Sequence, residues 1–483
     1  MGSRALSGAA VVPFWLAGER VTRVEQMTVR HPYDGREFAR VAVPTAADVE
    51  RAVVAAQSAS AELSALAAHV RADALAQVAR RLAERAEEAA RLIVDECGKP
   101  LKWARAEVGR SVGVFRLASE ETHRLDGSVE RLDTEPGGAG RVAIVRRFSR
   151  GPVLGISPFN FPLNLVAHKI APAIAVGAPI VVKPAPATPL CALFLAELVA
   201  ETGLPAGTLS VLPMGNDRAA ALVADPRLPV VSFTGSGPVG WAIKEAVPRK
   251  HVLLELGGDA AAVVCADTDL VRAAGRIATF ANYQGGQSCI SVQRALIHRS
   301  VYDEMVARIV DATANLVVGD PYDERTDVGP LINEAAATRV AQWVAESVAD
   351  GAKLLIGGSR TGAVYTPTVL SHVPSTSRLC TEEVFGPVLI VAPFDTFDEA
   401  MEMVNRSRFG LQAGVFTRDI QLAFKAYASL DVGGVVVDDV PSYRADQLPY
   451  GGTKESGVGR EGVRSAMRDY SDERVLVLSN VAV

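Results

Sequence analysis

The spacing of apolar positions changes character along the chain. From Ala46 to Cys97 they recur at helical intervals: Leu75, Val78 and Leu82 share one face, and Arg80, Arg81, Glu84 and Arg85 populate the other. Gly98-Lys99-Pro100 ends the run, and a further helix is predicted from Trp103 to His123. Between Asp126 and Arg147, Gly137-Gly138 is followed by alternating Val142, Ile144 and Arg146, which predicts a projecting hairpin. Such a hairpin is either an ordinary surface feature or a subunit-contact arm. From Gly151 onward short apolar strands alternate with helices. Strands are predicted over 153–156, 180–183, 209–212, 230–233 and 252–256, and a helix over 190–201. Serial βα units imply a parallel sheet covered by helices, and a second alternating region follows Ser291. The fold class is therefore α/β.

Length and composition narrow the picture. A chain of 483 residues is long enough for about three domains. Hydrophobic residues make up 49% and charged residues 22%, as in globular proteins. A net charge of −5 gives no reason to expect nucleic acid or an anionic membrane as partner, although a local basic pocket for an anionic substrate is compatible with it. The most apolar stretch, Leu165 to Val182, is interrupted by His168, Lys169 and two prolines, so no membrane span is expected. The N-terminus has no apolar signal core before Pro13, and Leu6 argues against myristoylation at Gly2; a cytoplasmic location is expected. The five cysteines, Cys97, Cys191, Cys265, Cys289 and Cys380, are widely spaced without a C-x-x-C, so neither a disulfide framework nor a metal site is expected.

Two segments carry chemistry. The strand-like Pro229-Val-Val-Ser-Phe-Thr234 runs into Gly235-Ser236-Gly237-Pro238-Val239-Gly240, a G-x-G-x-x-G between a strand and a helix. Small residues there let the backbone approach a pyrophosphate, and the helix N-terminus attracts it. The bland alternative is a tight turn with no ligand. The fingerprint wants an acidic residue about 20 positions on, which would make Glu255 a ribose ligand. The second segment is Asn282-Tyr-Gln-Gly-Gly-Gln-Ser-Cys-Ile290. Its polar and glycine residues are unusual neighbours for a packing cysteine, and the segment is expected to lead Cys289 into a helix N-terminus that acidifies the thiol.

Gln284-Gly-Gly-Gln-Ser-Cys289 resembles the catalytic cysteine loop of the aldehyde dehydrogenase superfamily. Ile156-Ser-Pro-Phe-Asn-Phe-Pro162, Val182-Lys-Pro184, Glu255-Leu-Gly-Gly258, Glu382-Glu-Val-Phe-Gly-Pro387 and the closing Pro449-to-Arg460 segment resemble further motifs of that family in the expected order. The resemblance implies a Rossmann-like cofactor domain, an α/β catalytic domain and a small β oligomerisation arm. The corresponding division is 1–125 with 149–254 for the cofactor domain, 255–445 for the catalytic domain, and 126–148 with 446–483 for the arm and the C-terminal segment. Arm and last strand (473–478) would join the chain into a homodimer or homotetramer.

By the same resemblance Cys289 would attack a small-molecule aldehyde, the Asn160 amide and Cys289 N–H would hold the oxyanion, and Glu255 would activate the water that hydrolyses the thioester. This replaces the ribose assignment of Glu255. A carboxylate inside an apolar strand is costly to bury without purpose, which points the same way. Ser157, Pro158, Phe159, Lys183, Pro186, Gly235, Ser236, Val239, Leu256, Glu383 and Phe385 would contact NADP or NAD. Members preferring NAD often carry a glutamate three residues after the lysine. Pro186 stands there and leaves Lys183 free for a 2′-phosphate, so NADP is expected to be accepted and weakly preferred.

Asn164, His168, Ser288 and Ile290 would line the substrate tunnel, and its polar lining suggests a small, polar aldehyde. Arg444 and Arg110 are candidates to anchor a carboxylate or phosphonate tail; the alternative is a salt bridge such as Arg444 with Asp446. Two other functions fit the same fold, a coenzyme A-acylating dehydrogenase and a non-catalytic scaffold. The presence of Glu255, Cys289 and Asn160 argues against both.

Overall fold

The computed structural model describes residues 11–125 and 127–481. Asp126 and the N-terminal positions read for targeting lie outside them. Two sheets and a small arm organise the chain. The first sheet has the strand order Glu19–Val21, Phe14–Leu16, Leu209–Val211, Ile180–Lys183, Val153–Ile156, Val230–Thr234, His251–Glu255, Gly457–Val458. The five strands from Leu209–Val211 to His251–Glu255 are mutually parallel, and the flanking strands are antiparallel. These central strands are almost wholly buried, as the β-branched runs require when helices cover both faces. The chain steps outward from Val153–Ile156 to Leu209–Val211, then returns to Val230–Thr234 on the other side. That reversal is a topological switch point, where α/β sheets bind ligands beyond the strands' carboxyl ends.

The second sheet runs Lys353–Ile356, Thr368–Ser371, Val388–Phe394, Arg294–His298, Ala261–Val264, Gln412–Phe416, Gly434–Val437, parallel except at Lys353–Ile356. Only Leu256 to Ala260 separate the last parallel strand of the first sheet from the strand at Ala261. The carboxyl edge of one sheet thus faces the amino edge of the other. The arm is a three-stranded antiparallel sheet of Gly127–Arg131, Arg141–Ser149 and Ser471–Ser479. Gly457–Val458 joins the first sheet, and the helix Val463–Asp469 packs on the helices Leu101–Thr122 and Asn164–Val176. The closing segment therefore joins the arm at Ser471.

The predicted helical run from Ala46 forms three helices, Ala46–Ala65, Ala68–Glu84 and Ala86–Cys97. The first is opened by a reciprocal Thr45–Asp48 cap. The helix Asn164–Val176 has no side-chain cap of its own. Glu107 of the helix Leu101–Thr122 replaces it: Oε1 accepts from the N–H groups of Leu163 (3.0 Å) and Asn164 (3.1 Å), while Lys99 pairs with Oε2. The same helix ends at Gly177, whose φ of +77° and contact with Ser64 Cα leave no room for a side chain. No helix among the described residues is long and apolar enough to cross a membrane.

Candidate active site

Glu255 is the last residue of its strand and lies at the seam between the sheets. It is buried, and neither carboxylate oxygen has a hydrogen-bond partner among the described residues. Burial, reinforced by the neighbouring Glu461, raises its pKa well above the usual carboxylate range; Arg444, Lys169 and Arg460 oppose the shift.

Cys289 follows the helix Leu270–Asn282 and the short turn Tyr283–Gly286. The expectation of a helix N-terminus at the cysteine is overturned. The helix precedes it, and beyond Cys289 the chain makes a turn and enters the strand Arg294–His298. No macrodipole acidifies the thiol; burial instead pushes its pKa up to about 12, with Tyr450 and Arg444 acting in the opposite sense. Sγ lies 3.0 Å from the Tyr450 hydroxyl. The approach to the cysteine is bent through three successive left-handed residues, Gln284, Gly285 and Gly286, with φ of +54°, +64° and +70°. A Cβ at Gly286 would collide with the Gly386 carbonyl at 2.0 Å, so glycine is required there. The bent loop is tied to the oxyanion motif from both sides. Asn160 Nδ2 donates to the Gln287 carbonyl (3.0 Å), and Gln284 Nε2 donates to the Asn160 carbonyl. The Cys289 N–H has no partner among the described residues.

The positions expected to meet a dinucleotide gather along the carboxyl edge of the first sheet. Ser157 Oγ is buried without a partner, and the Phe159 ring meets Phe385 edge-on at 5.8 Å. Phe385 adopts a φ of +49°. Pro158 lies between Ser157 and Phe159. Lys183 ends its strand with Nζ on Asn216 Oδ1 (2.5 Å), and burial lowers its pKa to about 8. Pro186 lies in the loop beyond. Gly235 abuts the Phe233 ring, leaving no space for a Cβ. Ser236 stands at the N-cap of the helix Gly237–Ala246, and Val239 is half exposed on its first turn. Leu256 fills the space beside Gly240. Across the seam Glu383 accepts from Gly258 N–H (3.1 Å), and burial raises its pKa to about 7.

On the other side of Cys289 lies a polar wall. Asn164 and His168 stand one helical turn apart. Neither atom of the Asn164 amide has a partner, nor does His168 Nδ1. His168 Nε2 is 2.8 Å from Asp446 Oδ1, and burial, then the charge of Arg444, lowers the imidazole's pKa. Arg110 grips the same carboxylate with Nη2 (2.6 Å) and Nε (3.3 Å). Arg444 does not pair with Asp446, against the sequence-based alternative. Its Nη2 donates to Glu461 (2.9 Å), because the reciprocal backbone bonds between Tyr450 and Glu461 bring that carboxylate over the loop. The Arg444 guanidinium lies 3.9 Å over the Tyr450 ring, and its Nε is open. Lys169 completes the row, reaching Glu461 (3.3 Å), Thr234 (2.8 Å) and Ser232 (3.1 Å). Ser288 and Ile290 flank the cysteine, and Ile290 packs with Leu411 and Tyr450.

Reasoning from sequence did not pick out Tyr450, Lys169, Glu461, Asn216 or Glu107. Two of them carried a signal: Lys169 is a cation in an otherwise apolar helix, and Tyr450 lies within the closing motif.

The chain belongs to the aldehyde dehydrogenase family, NAD(P)-dependent oxidoreductases acting on the aldehyde group; the profile of the aldehyde dehydrogenase family matches residues 19–476. It is 41% identical to the 3-sulfolactaldehyde dehydrogenase of Priestia aryabhattai over 466 residues, covering 96% of this chain and 97% of that one. Among solved structures it resembles aldehyde dehydrogenase 21 of Physcomitrella patens in complex with the reaction product succinate. The TM-score is 0.97 and the identity 42%, with 98% and 99% of the two chains covered. It also resembles the glyceraldehyde-3-phosphate dehydrogenase GapN of Methanocaldococcus jannaschii complexed with NADP. There the TM-score is 0.91 and the identity 35%, with 95% and 100% covered.

Proposed function

We propose that this enzyme oxidises a short aldehyde with an anionic tail to the corresponding carboxylic acid, using NADP in preference to NAD. The observation that carries the substrate class is Arg444. Its buried guanidinium, with Nε unpaired, rests on the ring whose hydroxyl touches the Cys289 sulfur. A desolvated guanidinium with an open donor binds a carboxylate or sulfonate strongly. Arg110 offers a second cation from the helix Leu101–Thr122. The unpartnered Asn164 and His168 atoms offer further polar contacts.

Cys289 gives up its thiol proton to water, Sγ forms a bond to the aldehyde carbon, and the carbonyl π pair moves onto oxygen as an oxyanion. Asn160 Nδ2 and the free Cys289 N–H are the donors available to it. A bound NAD(P) would supply the acceptor for the aldehydic hydrogen and its electron pair, and Cys289 would then hold the acyl group as a thioester. Glu255, unpaired and with its pKa raised, draws a proton from water. The water oxygen adds to the thioester, the carbon–sulfur bond breaks, and the thiol is restored. An acylating enzyme would have no need of that carboxylate.

The residues along the first sheet fit a phosphorylated dinucleotide. The orphaned Ser157 Oγ and the Ser236 helix N-terminus are donors for phosphate or ribose. Lys183 carries the charge for a 2′-phosphate, with no carboxylate at Pro186 to repel it, and Glu383 is the acceptor for the nicotinamide ribose. We place the subunit contact of a homodimer or homotetramer on the arm, where Val475, Leu476 and Val477 are exposed on a free strand edge.

The test is the Arg444→Met variant assayed with succinate semialdehyde, a sulfonate-ended aldehyde and an uncharged aldehyde of similar length. Loss of one buried charge-assisted pair predicts a fall of about 10- to 100-fold in kcat/KM for the anionic substrates and little change for the neutral one. Equal losses on all three would remove the anion-binding assignment.

A further inference from the structure

We propose that Asp446 limits the substrate's tail to a single negative charge, so that carboxylate- or sulfonate-ended aldehydes are accepted and phosphate-ended ones are discriminated against. The proposal rests on the anion-tail reading above and refines it.

Asp446 is the hub of the tunnel's far wall. It holds Arg110 through both carboxylate oxygens and His168 through one, from two different helices. These contacts keep it ionised, since Arg110 and His168 hold its pKa well below the usual range against burial. His168 is neutral, because burial and the nearby Arg444 lower its pKa. It therefore donates from Nε2 and contributes no charge. The charged groups of the wall are Arg110, Arg444 and Lys169 on one side and Asp446 and Glu461 on the other. Glu255 lies behind them beside Arg460, so that the general base and its neighbouring cation add no net charge to the wall. Three cations face two anions, leaving one unit of positive charge.

A singly charged tail cancels that excess. A doubly charged tail leaves one negative charge uncompensated where water is scarce, beside an Asp446 carboxylate that already takes the Nε and Nη2 donors of Arg110. At separations of a few ångströms such a mismatch lowers kcat/KM by about tenfold or more even with substantial screening. Asp446 thereby acts as a resident anion that uses up one of the two arginines. Its replacement by a neutral isostere frees that charge for the substrate.

The experiment compares wild type with Asp446→Asn on four probes: an uncharged aldehyde, succinate semialdehyde, a sulfonate-ended aldehyde and glyceraldehyde 3-phosphate. Asp446→Asn should raise the ratio of phosphate to sulfonate kcat/KM by about tenfold or more. A second reading needs no variant. A phosphate monoester takes its second charge at a pKa of about 6, whereas a sulfonate stays singly charged. In wild type, kcat/KM for glyceraldehyde 3-phosphate should therefore fall relative to the sulfonate probe between pH 5.5 and 8. A pH-independent ratio, or a ratio unchanged in Asp446→Asn, overturns the role of Asp446. If instead wild type turns over the uncharged aldehyde as well as the charged ones, the anion-tail reading itself fails. If Asp446→Asn does not fold, the pH ratio in wild type decides alone.

Discussion

Glu96 and Glu107, in the helical layer, are as deeply buried as Glu255 at the seam of the two sheets, but their surroundings differ. Glu96 accepts from the N–H groups of Leu190 (2.6 Å) and Cys191 (3.0 Å), and so caps the helix Leu190–Ala200. Glu107 caps the helix Asn164–Val176 in the same way and is paired with Lys99. Every oxygen has a donor. Glu255 has none among the described residues, and the open Nε of Arg444 shares its neighbourhood. Burial alone therefore does not mark a functional carboxylate. What marks it is burial with the hydrogen-bonding capacity left vacant, which costs stability and is retained where a ligand or water must be received.

The sharpest way to break this contrast is to neutralise the open carboxylate. Glu255→Gln should lower steady turnover by about 100- to 10,000-fold, while one equivalent of reduced cofactor still appears in a rapid burst. Stopped-flow absorbance separates the two phases, and a missing burst would assign Glu255 to an earlier step. The capped carboxylate should behave in the opposite manner. Glu96→Ala leaves two buried N–H groups unsatisfied, a cost of about 1–3 kcal/mol each, so the urea midpoint should drop while kcat per folded enzyme is kept. The smallest effect concerns Lys183, whose burial lowers its pKa to about 8. The charged form needed for a 2′-phosphate is present below that pH and lost above it. The ratio of NADP to NAD kcat/KM should therefore fall by up to about tenfold from pH 7 to 9, and stay flat in Lys183→Met.

Much of the frame was legible because its signals are local. Strands 153–156 and 180–183 are short apolar runs, the second ending on Lys183, and form as read. The glycine loop at Gly235 and the order of the motifs placed Cys289, Glu255 and Asn160 at one seam. The errors arose where the determinants are distant. The residues before Cys289 look like a helix entrance, but three left-handed turns and a glycine pressed on Gly386 send the chain elsewhere. For Arg444 the nearby Asp446 is the salt-bridge alternative that the sequence offers, whereas the backbone bridge from Tyr450 to Glu461 supplies a partner from further along the chain. Glu107 and Asn216 act on residues remote in sequence, with no periodicity to announce them.

The Glu107 cap has a geometric corollary. Arg110 stands one helical turn beyond Glu107, and the helix that Glu107 holds carries Asn164 and His168. One clamp thus sets the height of Arg110 relative to the helix below it, and the cysteine loop is moored to the same segment through Asn160. On the proposed anion-tail reading, sulfur and guanidinium would be the two ends of a fixed ruler, selecting aldehydes by the number of carbons between the carbonyl and the charge.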